Sequence, residues 1–392
     1  MPLHDHIANR LDELQQVQLR RRLPACPPGS GELDFSSNDY LGLSTHPEVI
    51  EAGVVAAQRF GAGATGSRLL SGNLDCFEAL EAQVAAFKGS QAALVMNSGY
   101  QANSSALAAL LDKALWGCVP QVFTDRLNHA SLHHACQLAG VRQHRFRHND
   151  LAHLAELLAQ TDAANTPKII VTETVFGMEG DTLPVVELAE LALAHGALVY
   201  LDEAHATGVW GPQGRGLGAT EHPAIEALKA MGHWVVMGTF SKAVGVAGAY
   251  LAVSQAVKDY LLNRCTGFVY STAPSPFVTG AVSRALELIP GMDAQRALIA
   301  RQADALRAHL AGCGLNSGLS NTHIVPVVVG EAQASLHLKA HLEQLGLRSS
   351  AVRPPTVPPH TARVRLALSA RHSPAALEAL HNALRTWVRP AS

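Results

Sequence analysis

Two short blocks hold the side chains best suited to chemistry: Asp202-Glu203-Ala204-His205 and Gly238-Thr239-Phe240-Ser241-Lys242. Each closes an apolar run, Ala197-Leu198-Val199-Tyr200-Leu201 before the first and Trp234-Val235-Val236-Met237 before the second. Short apolar runs bounded by Asp or Gly suit buried parallel strands. Such strands deliver their last residues to the carboxyl edge of an open α/β sheet, where these folds place their ligands. An acid, a histidine, a lysine and small hydroxyls would then meet at one edge. A lysine able to form a Schiff base, and a carboxylate able to pair with a protonated ring nitrogen, are what pyridoxal 5'-phosphate chemistry requires. Taken alone, Lys242 reads better as an exposed loop lysine. The matched Asp202, His205 and Thr239 reverse those odds.

The elements that must position these groups alternate along the chain. Residues 5–22 read as an amphipathic helix, with Ile7, Leu11, Leu14 and Leu19 at helical spacing and a basic end at Arg20-Arg21-Arg22, broken by Pro24, Pro27, Pro28 and Gly29. Leu33–Leu43 reads as a strand running into a polar loop. The glycine-rich Gly61–Arg68 follows a helix over 48–60 rather than a strand, so it is not a dinucleotide fingerprint. A helix over Cys76–Phe87 leads to a strand at Ala92–Met96, then Asn97-Ser98-Gly99-Tyr100 and a helix over Ser104–Leu111. A strand, a Ser-Gly turn and a helix start make a phosphate cradle, and an N-cap without ligand is the equal alternative. Strands follow at Val122–Asp125, before His129, and at Ile169–Thr174, before Gly177. Next come a helix over Val185–His195 and a strand at Gly248–Val253, expected as the antiparallel edge of the sheet. A helix ending near Ile289 precedes a long one, Asp293–Ala311, read as a bridge between domains. The remainder reads as a small α+β domain with Arg353–Pro359 as a rigid extended loop, since its prolines exclude helix and central strand. The expected segments are an N-terminal helix and arm over 1–45, a large α/β domain over 46–290 and a small domain over 291–392.

Bulk composition excludes several classes. The 392 residues carry a net charge of −2 and are 48% hydrophobic and 16% charged, enough to bury a large core. There is no basic field for nucleic acid and no apolar run approaching a membrane span. The first residues lack a signal-peptide layout. The six cysteines form no CxxC pair, and the twenty histidines form no HExxH. No metal site is expected, and a reducing cytoplasm suits the chain.

Five blocks, in order, carry a resemblance: Asn38-Asp39-Tyr40-Leu41-Gly42, Asn97-Ser98-Gly99-Tyr100, Asp202–Gly208, Gly211-x-x-Gly214-Arg215-Gly216 and Thr239-Phe240-Ser241-Lys242. Together they resemble the α-oxoamine synthases, fold-type-I pyridoxal-phosphate enzymes that condense an amino acid with an acyl thioester. The resemblance covers residues from about 33 to 370. Arg353-Pro-Pro-Thr356-Val-Pro with Thr361-Ala-Arg363-Val-Arg365 is similar to the biotin-pathway branch, which joins L-alanine to a pimeloyl group on CoA or acyl-carrier protein.

What the resemblance implies is specific. The fold would be a mostly parallel seven-stranded sheet between helices, with a smaller α+β C-terminal domain. Lys242 would hold the cofactor and move the α-proton. Asp202 would pair with the ring nitrogen, His129 would stack on the ring and meet substrate, and His205 would bond the phenolic oxygen. Gly99, Tyr100, Gly177 and Thr239 would hold the cofactor, and Thr272 would reach the phosphate of a second copy in a homodimer. Arg365, helped by Asn38, would clamp the amino-acid carboxylate, and Arg21 and Thr356 would meet the acyl chain. The chain departs from the family at Gly177, where a serine is usual, and at Ser241, where a glycine is common. Losing one hydrogen bond at 177 is worth ~0.5–1.5 kcal/mol, so weaker cofactor retention is the most to expect.

Three other readings stand beside this one. They are a glycine C-acetyltransferase or amino-ketone synthase of the same family, an aminotransferase on the same fold, and a non-catalytic binding protein. The Arg-Pro-Pro-Thr loop argues against the first, the whole motif set against the second, and the presence of Lys242 and Asp202 against the third.

Overall fold

The computed structural model describes residues 2–21, 23, 25, 30–160 and 166–389. Arg22, Pro24, Cys26, Pro27, Pro28 and Gly29 lie outside the described residues. The chain divides into two compact units: Asp39–Phe176 with Thr182–Arg296, and Met1–Asn38 with Gly177–Asp181 and Ala297–Ser392. Against the expected segments 1–45, 46–290 and 291–392, the units part at 38 and 296, and the N-terminal segment falls in the smaller unit.

The larger unit is built on seven strands: β1 Ala92–Met96, β2 Gln121–Asp125, β3 Gln143–Phe146, β4 Lys168–Glu173, β5 Leu198–Asp202, β6 Trp234–Thr239 and β7 Ala249–Val253. Their order is β1-β7-β6-β5-β4-β2-β3. Strands β6, β5, β4, β2 and β3 pair in parallel, and β7 runs against both its neighbours. Every residue of β1, β5, β6 and β7 is buried, which is why these strands read as apolar runs rather than alternations. Helices such as Ala130–Leu138 and Gln255–Arg264 contribute Leu132 and Leu261 to a core shared with Leu94, Val171, Leu198 and Met237.

The larger unit departs from the sequence expectation at β7 and at the helix after β1. Strand β7 is not the edge: β1 covers its outer side, pairing Ala92 with Val253 and Met96 with Ala249. A strand that is buried on both faces can be closed by a further partner, and the short apolar β1 supplies it. The helix expected from Ser104 begins at Gly99, with Ser98 Oγ accepting the Gln101 N–H at 3.2 Å, and passes through one wide turn at Asn103–Leu107. Strand β3 and the helices Leu151–Ala159 and Pro223–Ala230 add to the elements read from sequence.

The smaller unit carries a three-stranded antiparallel sheet of β8 Ile324–Gly330, β9 Ser350–Val352 and β10 Ala362–Ala367, with β10 central. The helices Ala332–Gln344 and Pro374–Thr386 accompany it. The first helix spans Leu3–Gln16, not 5–22. Leu19 is out of phase with Ile7, Leu11 and Leu14, and Gln18 takes φ 57° while the Leu14 carbonyl accepts the N–H groups of Leu19 and Arg20. Arg20 and Arg21 therefore lie beyond the helix rather than at its end. No strand forms at its expected start, Leu33. Asp34 makes a single bridge to Arg348, and its carboxylate accepts the N–H of Ser36 at 2.8 Å, turning the chain. Residues 353–361 also turn rather than extend: Thr356 N–H donates to Arg353 O at 3.0 Å and Thr361 N–H to Pro358 O at 3.3 Å. Proline's fixed φ favours such turns as readily as extension. Among the described residues no helix is long and apolar enough to cross a membrane.

Candidate functional site

In the larger unit, the carboxyl ends of β1, β2, β4, β5 and β6 bring their last residues to one edge. Asp202 ends β5 and is buried. Its Oδ2 accepts from Asn103 Nδ2 at 2.7 Å and its Oδ1 from the Ala204 N–H at 2.8 Å. Neither donor carries a charge.

Lys242 follows β6 in a tight turn, Gly245 N–H donating to Lys242 O at 2.8 Å. Its Nζ lies 2.8 Å from His205 Nε2, and His205 Nδ1 lies 2.7 Å from the hydroxyl of the buried Tyr40. When Lys242 is an ammonium, which can only donate, Nε2 accepts from it and the imidazole proton sits on Nδ1, facing Tyr40.

His129 caps the helix Ala130–Leu138. Its backbone N–H donates to Glu173 Oε1 at 2.6 Å, and its Nδ1 lies 2.7 Å from Ser131 Oγ. Burial holds its pKa below the ordinary histidine value. The Asp202 charge opposes that shift and the Lys242 charge adds to it, so all three groups share one field. The ring of Tyr100 meets that of His129 edge-on at 6.3 Å, and its hydroxyl reaches His134 Nδ1 at 3.1 Å.

Gly99 begins its helix opposite Thr239. A Cβ placed on Gly99 would lie 3.5 Å from Thr239 Cβ, so a side chain there would fill the space between the helix start and the threonine. Thr239 Oγ1 donates to Gly248 O at 2.9 Å and accepts from the Ser241 N–H at 3.2 Å, with Ser241 Oγ 2.8 Å away. Thr272 gives its carbonyl to Asn97 Nδ2 at 2.8 Å and bridges Ser67 of the glycine-rich segment. Behind this edge Glu203 is buried in an ion pair with Lys88, which also donates to Arg215 O, and Glu203 Oε1 accepts the Gly218 N–H at 2.6 Å.

These residues fit pyridoxal phosphate. A buried carboxylate held by neutral donors suits a protonated ring nitrogen. A lysine stands beside a histidine. A helix start, an open glycine and two hydroxyls suit a phosphate.

In the smaller unit Arg365 is buried on β10. Its Nε donates to Gly177 O at 2.5 Å and its Nη2 to Asn38 Oδ1 at 3.0 Å. Arg21 Nη2 donates to Thr356 Oγ1 at 3.0 Å, and Arg353 donates to Gln18 O. Burial, reinforced by the neighbouring Arg21 charge, lowers the pKa of Arg353. A cavity of about 950 Å³ is lined by Arg20, Arg21, Lys339, Arg353, Thr356 and Arg365 among others, a cationic surface suited to an anion.

The sequence-expected residues thus form two groups. One gathers Gly99, Tyr100, His129, Asp202, His205, Thr239 and Lys242 in the larger unit. The other gathers Arg21 with Thr356, and Arg365 with Asn38 and Gly177, in the smaller. The sequence reading missed the parts played by Tyr40, Asn103, Ser131 and Arg353. Tyr40 and Arg353 lie inside motifs that carry the family resemblance. Asn103 and Ser131 are polar residues inside helices, and no spacing marked them.

Comparison with known proteins agrees with this chemistry. The family model for class I and II aminotransferases matches residues 30–384. A curated 8-amino-7-oxononanoate synthase of Gluconacetobacter diazotrophicus is 49% identical over 390 residues, 97% of this chain and 96% of that protein. A Bordetella bronchiseptica protein provisionally given the same name is 52% identical over 95% of this chain and 94% of its own length. Among solved structures, a serine palmitoyltransferase holding pyridoxal phosphate is alike at TM-score 0.87 with 26% identity, over 98% of each chain. The 8-amino-7-oxononanoate synthase of Francisella tularensis shares the fold at TM-score 0.74 with 23% identity, over 90% of this chain and 96% of that one. The chain belongs to the class I and II aminotransferase family and, within it, to the 8-amino-7-oxononanoate synthases, enzymes that depend on pyridoxal phosphate and transfer acyl groups.

Proposed function

We propose that the chain condenses L-alanine with a pimeloyl thioester, on CoA or on acyl-carrier protein, to give 8-amino-7-oxononanoate, CO2 and free thiol. The observation that carries the reading is Lys242 held against His205 in the same field as Asp202 and His129. The Arg21–Thr356 contact beside Arg353 supports a dicarboxylic acyl chain, whose distal carboxylate those cations would meet.

Bound pyridoxal phosphate supplies an electron sink for the α-carbon of the amino acid. Lys242 Nζ would hold the cofactor and is the base placed to take the α-proton of alanine. His205 accepts from Lys242 and keeps that nitrogen aimed. Asp202 would keep the ring nitrogen protonated, because an opposite charge within ~4–6 Å favours the charged form. Gly99 and Tyr100 at the helix start and Thr239 at the phosphate would hold the cofactor, and Thr272 would reach the phosphate of a second copy in a homodimer. Gly177 offers only its backbone. Arg365 and Asn38 bind the alanine carboxylate. A carbon–carbon bond then forms between the α-carbon and the thioester carbonyl as the carbon–sulfur bond breaks. The carboxylate next leaves as CO2, and Lys242 returns a proton to the carbon it vacates. The enzyme works in the cytoplasm on this reading.

Thiol release by the pyridoxal-phosphate-loaded protein tests the proposal, with alanine, glycine and serine each offered with pimeloyl-CoA, acetyl-CoA and palmitoyl-CoA. Release with alanine and pimeloyl-CoA is the expected result, abolished in Lys242→Ala. Release with serine and palmitoyl-CoA, or with glycine and acetyl-CoA, would keep the family and replace the substrates. The likeness to serine palmitoyltransferase makes the serine arm informative.

A further inference from the structure

We propose that Asn103 and Ser131 are positioning residues that lock the acid and the histidine of the larger unit together. One carboxamide orients Asp202 and, through the Ser131 hydroxyl, holds His129 as the tautomer protonated on Nε2.

The polarity of the network is determined at each link. Asn103 lies in the wide turn of the helix that begins at Gly99, one turn behind the helix start, and its side chain is buried. Tyr200 OH donates to Asn103 Oδ1 at 3.0 Å. Asn103 Nδ2 reaches Asp202 Oδ2 at 2.7 Å and Ser131 Oγ at 2.9 Å. The opposite amide orientation would press the Asn103 oxygen against a carboxylate oxygen, and both would be acceptors. Nδ2 therefore faces Asp202 and spends its second N–H on Ser131. The Ser131 oxygen accepts from Asn103 and turns its own proton towards His129 Nδ1, 2.7 Å away. The Ser131 backbone N–H points at the same nitrogen, at 3.3 Å. Two donors on Nδ1 require a lone pair there, so the imidazole proton sits on Nε2.

The consequence is a site whose two ring-facing groups are set by one side chain. Tyr200 stands on β5 two residues before Asp202, and its buried hydroxyl fixes the amide. Asp202 then presents a fixed oxygen, and His129 presents an Nε2–H donor. A neutral His129 agrees with the lowered pKa that burial imposes on it. The hydrogen-bond polarity is independent of the proposed function, and only the use made of it rests on that reading.

Side-chain 15N NMR of the full chain, with and without pyridoxal phosphate, reads the tautomer directly. In the wild type His129 Nδ1 is expected to give the signal of an unprotonated nitrogen in both states. In Asn103→Asp an acceptor faces Ser131, so its hydroxyl turns away from the imidazole. The tautomer preference is lost, and cofactor affinity falls about tenfold or more because two like charges then meet. Ser131→Ala, which leaves the Asp202 branch intact, should make the Nδ1–H form of His129 detectable while cofactor affinity stays within about twofold. A protonated Nδ1 in the wild type overturns the proposal, and so does an Asn103→Asp or Ser131→Ala protein with unchanged His129 signals. Absence of thiol release with these signals as expected would count against the functional reading alone.

Discussion

Tyr40 shows how far a single hydroxyl can act. It lies buried at the end of the line from Lys242 through His205, with 2.7 Å between its oxygen and His205 Nδ1. Tyr40→Phe keeps the ring and removes that oxygen. Loss of one buried hydrogen-bond partner costs about 1–3 kcal/mol, so kcat should fall roughly tenfold while both KM values stay within about twofold. Steady-state kinetics decides this: a rise in KM at constant kcat would mean that Tyr40 shapes binding rather than the lysine. At this scale the sequence was legible where a polar residue ends an apolar run, as at Asp202 and after β6 at Lys242. It was silent on the roles of Asn103 and Ser131, because a polar residue beside a helix start looks like a surface one until its neighbours are known.

Between β5 and the helix Asp75–Lys88, stability depends on one charge pair. Lys88 and Glu203 are both buried, and Glu203 follows Asp202 directly in the chain. Burial opposes the charge on Lys88, but Glu203 and Tyr250 together outweigh it and the lysine pKa rises. Lys88→Met removes the cation and leaves a buried carboxylate, which costs about 3–5 kcal/mol. Urea unfolding should show the loss, and a change below about 1 kcal/mol would mean that water reaches Glu203 in the wild type. Strands β1, β5, β6 and β7 were legible from their apolar runs, since full burial leaves no polar face to confuse the pattern, whereas the polar, part-exposed β3 was not. The place of β7 was not legible, because sheet order depends on a pairing with a strand far away in sequence. The first helix was overrun to 22 because arginines extend a helical pattern as easily as they follow one.

For the whole chain, histidines set the response to acid. His129, His133, His144, His233 and His381 are all held below the ordinary histidine pKa, with burial the leading cause in each. Below roughly pH 6.5 the unfolded chain takes up protons that the folded chain refuses, so stability falls as pH drops. Tm should therefore be lower at pH 5.5 than at pH 7.5, and an unchanged Tm across that interval would mean that these rings protonate equally in both states. Strand β7, closed between β1 and β6, carries a different consequence. While the chain is being synthesised, β1 emerges early and has no partner until Ala249–Val253 follows. At ~5–20 residues per second that wait of about 150 residues lasts on the order of ten to thirty seconds. Throughout it an apolar strand edge is exposed beside the ribosome, and whether the cell obtains enzyme or aggregate depends on what shields that edge until β7 arrives.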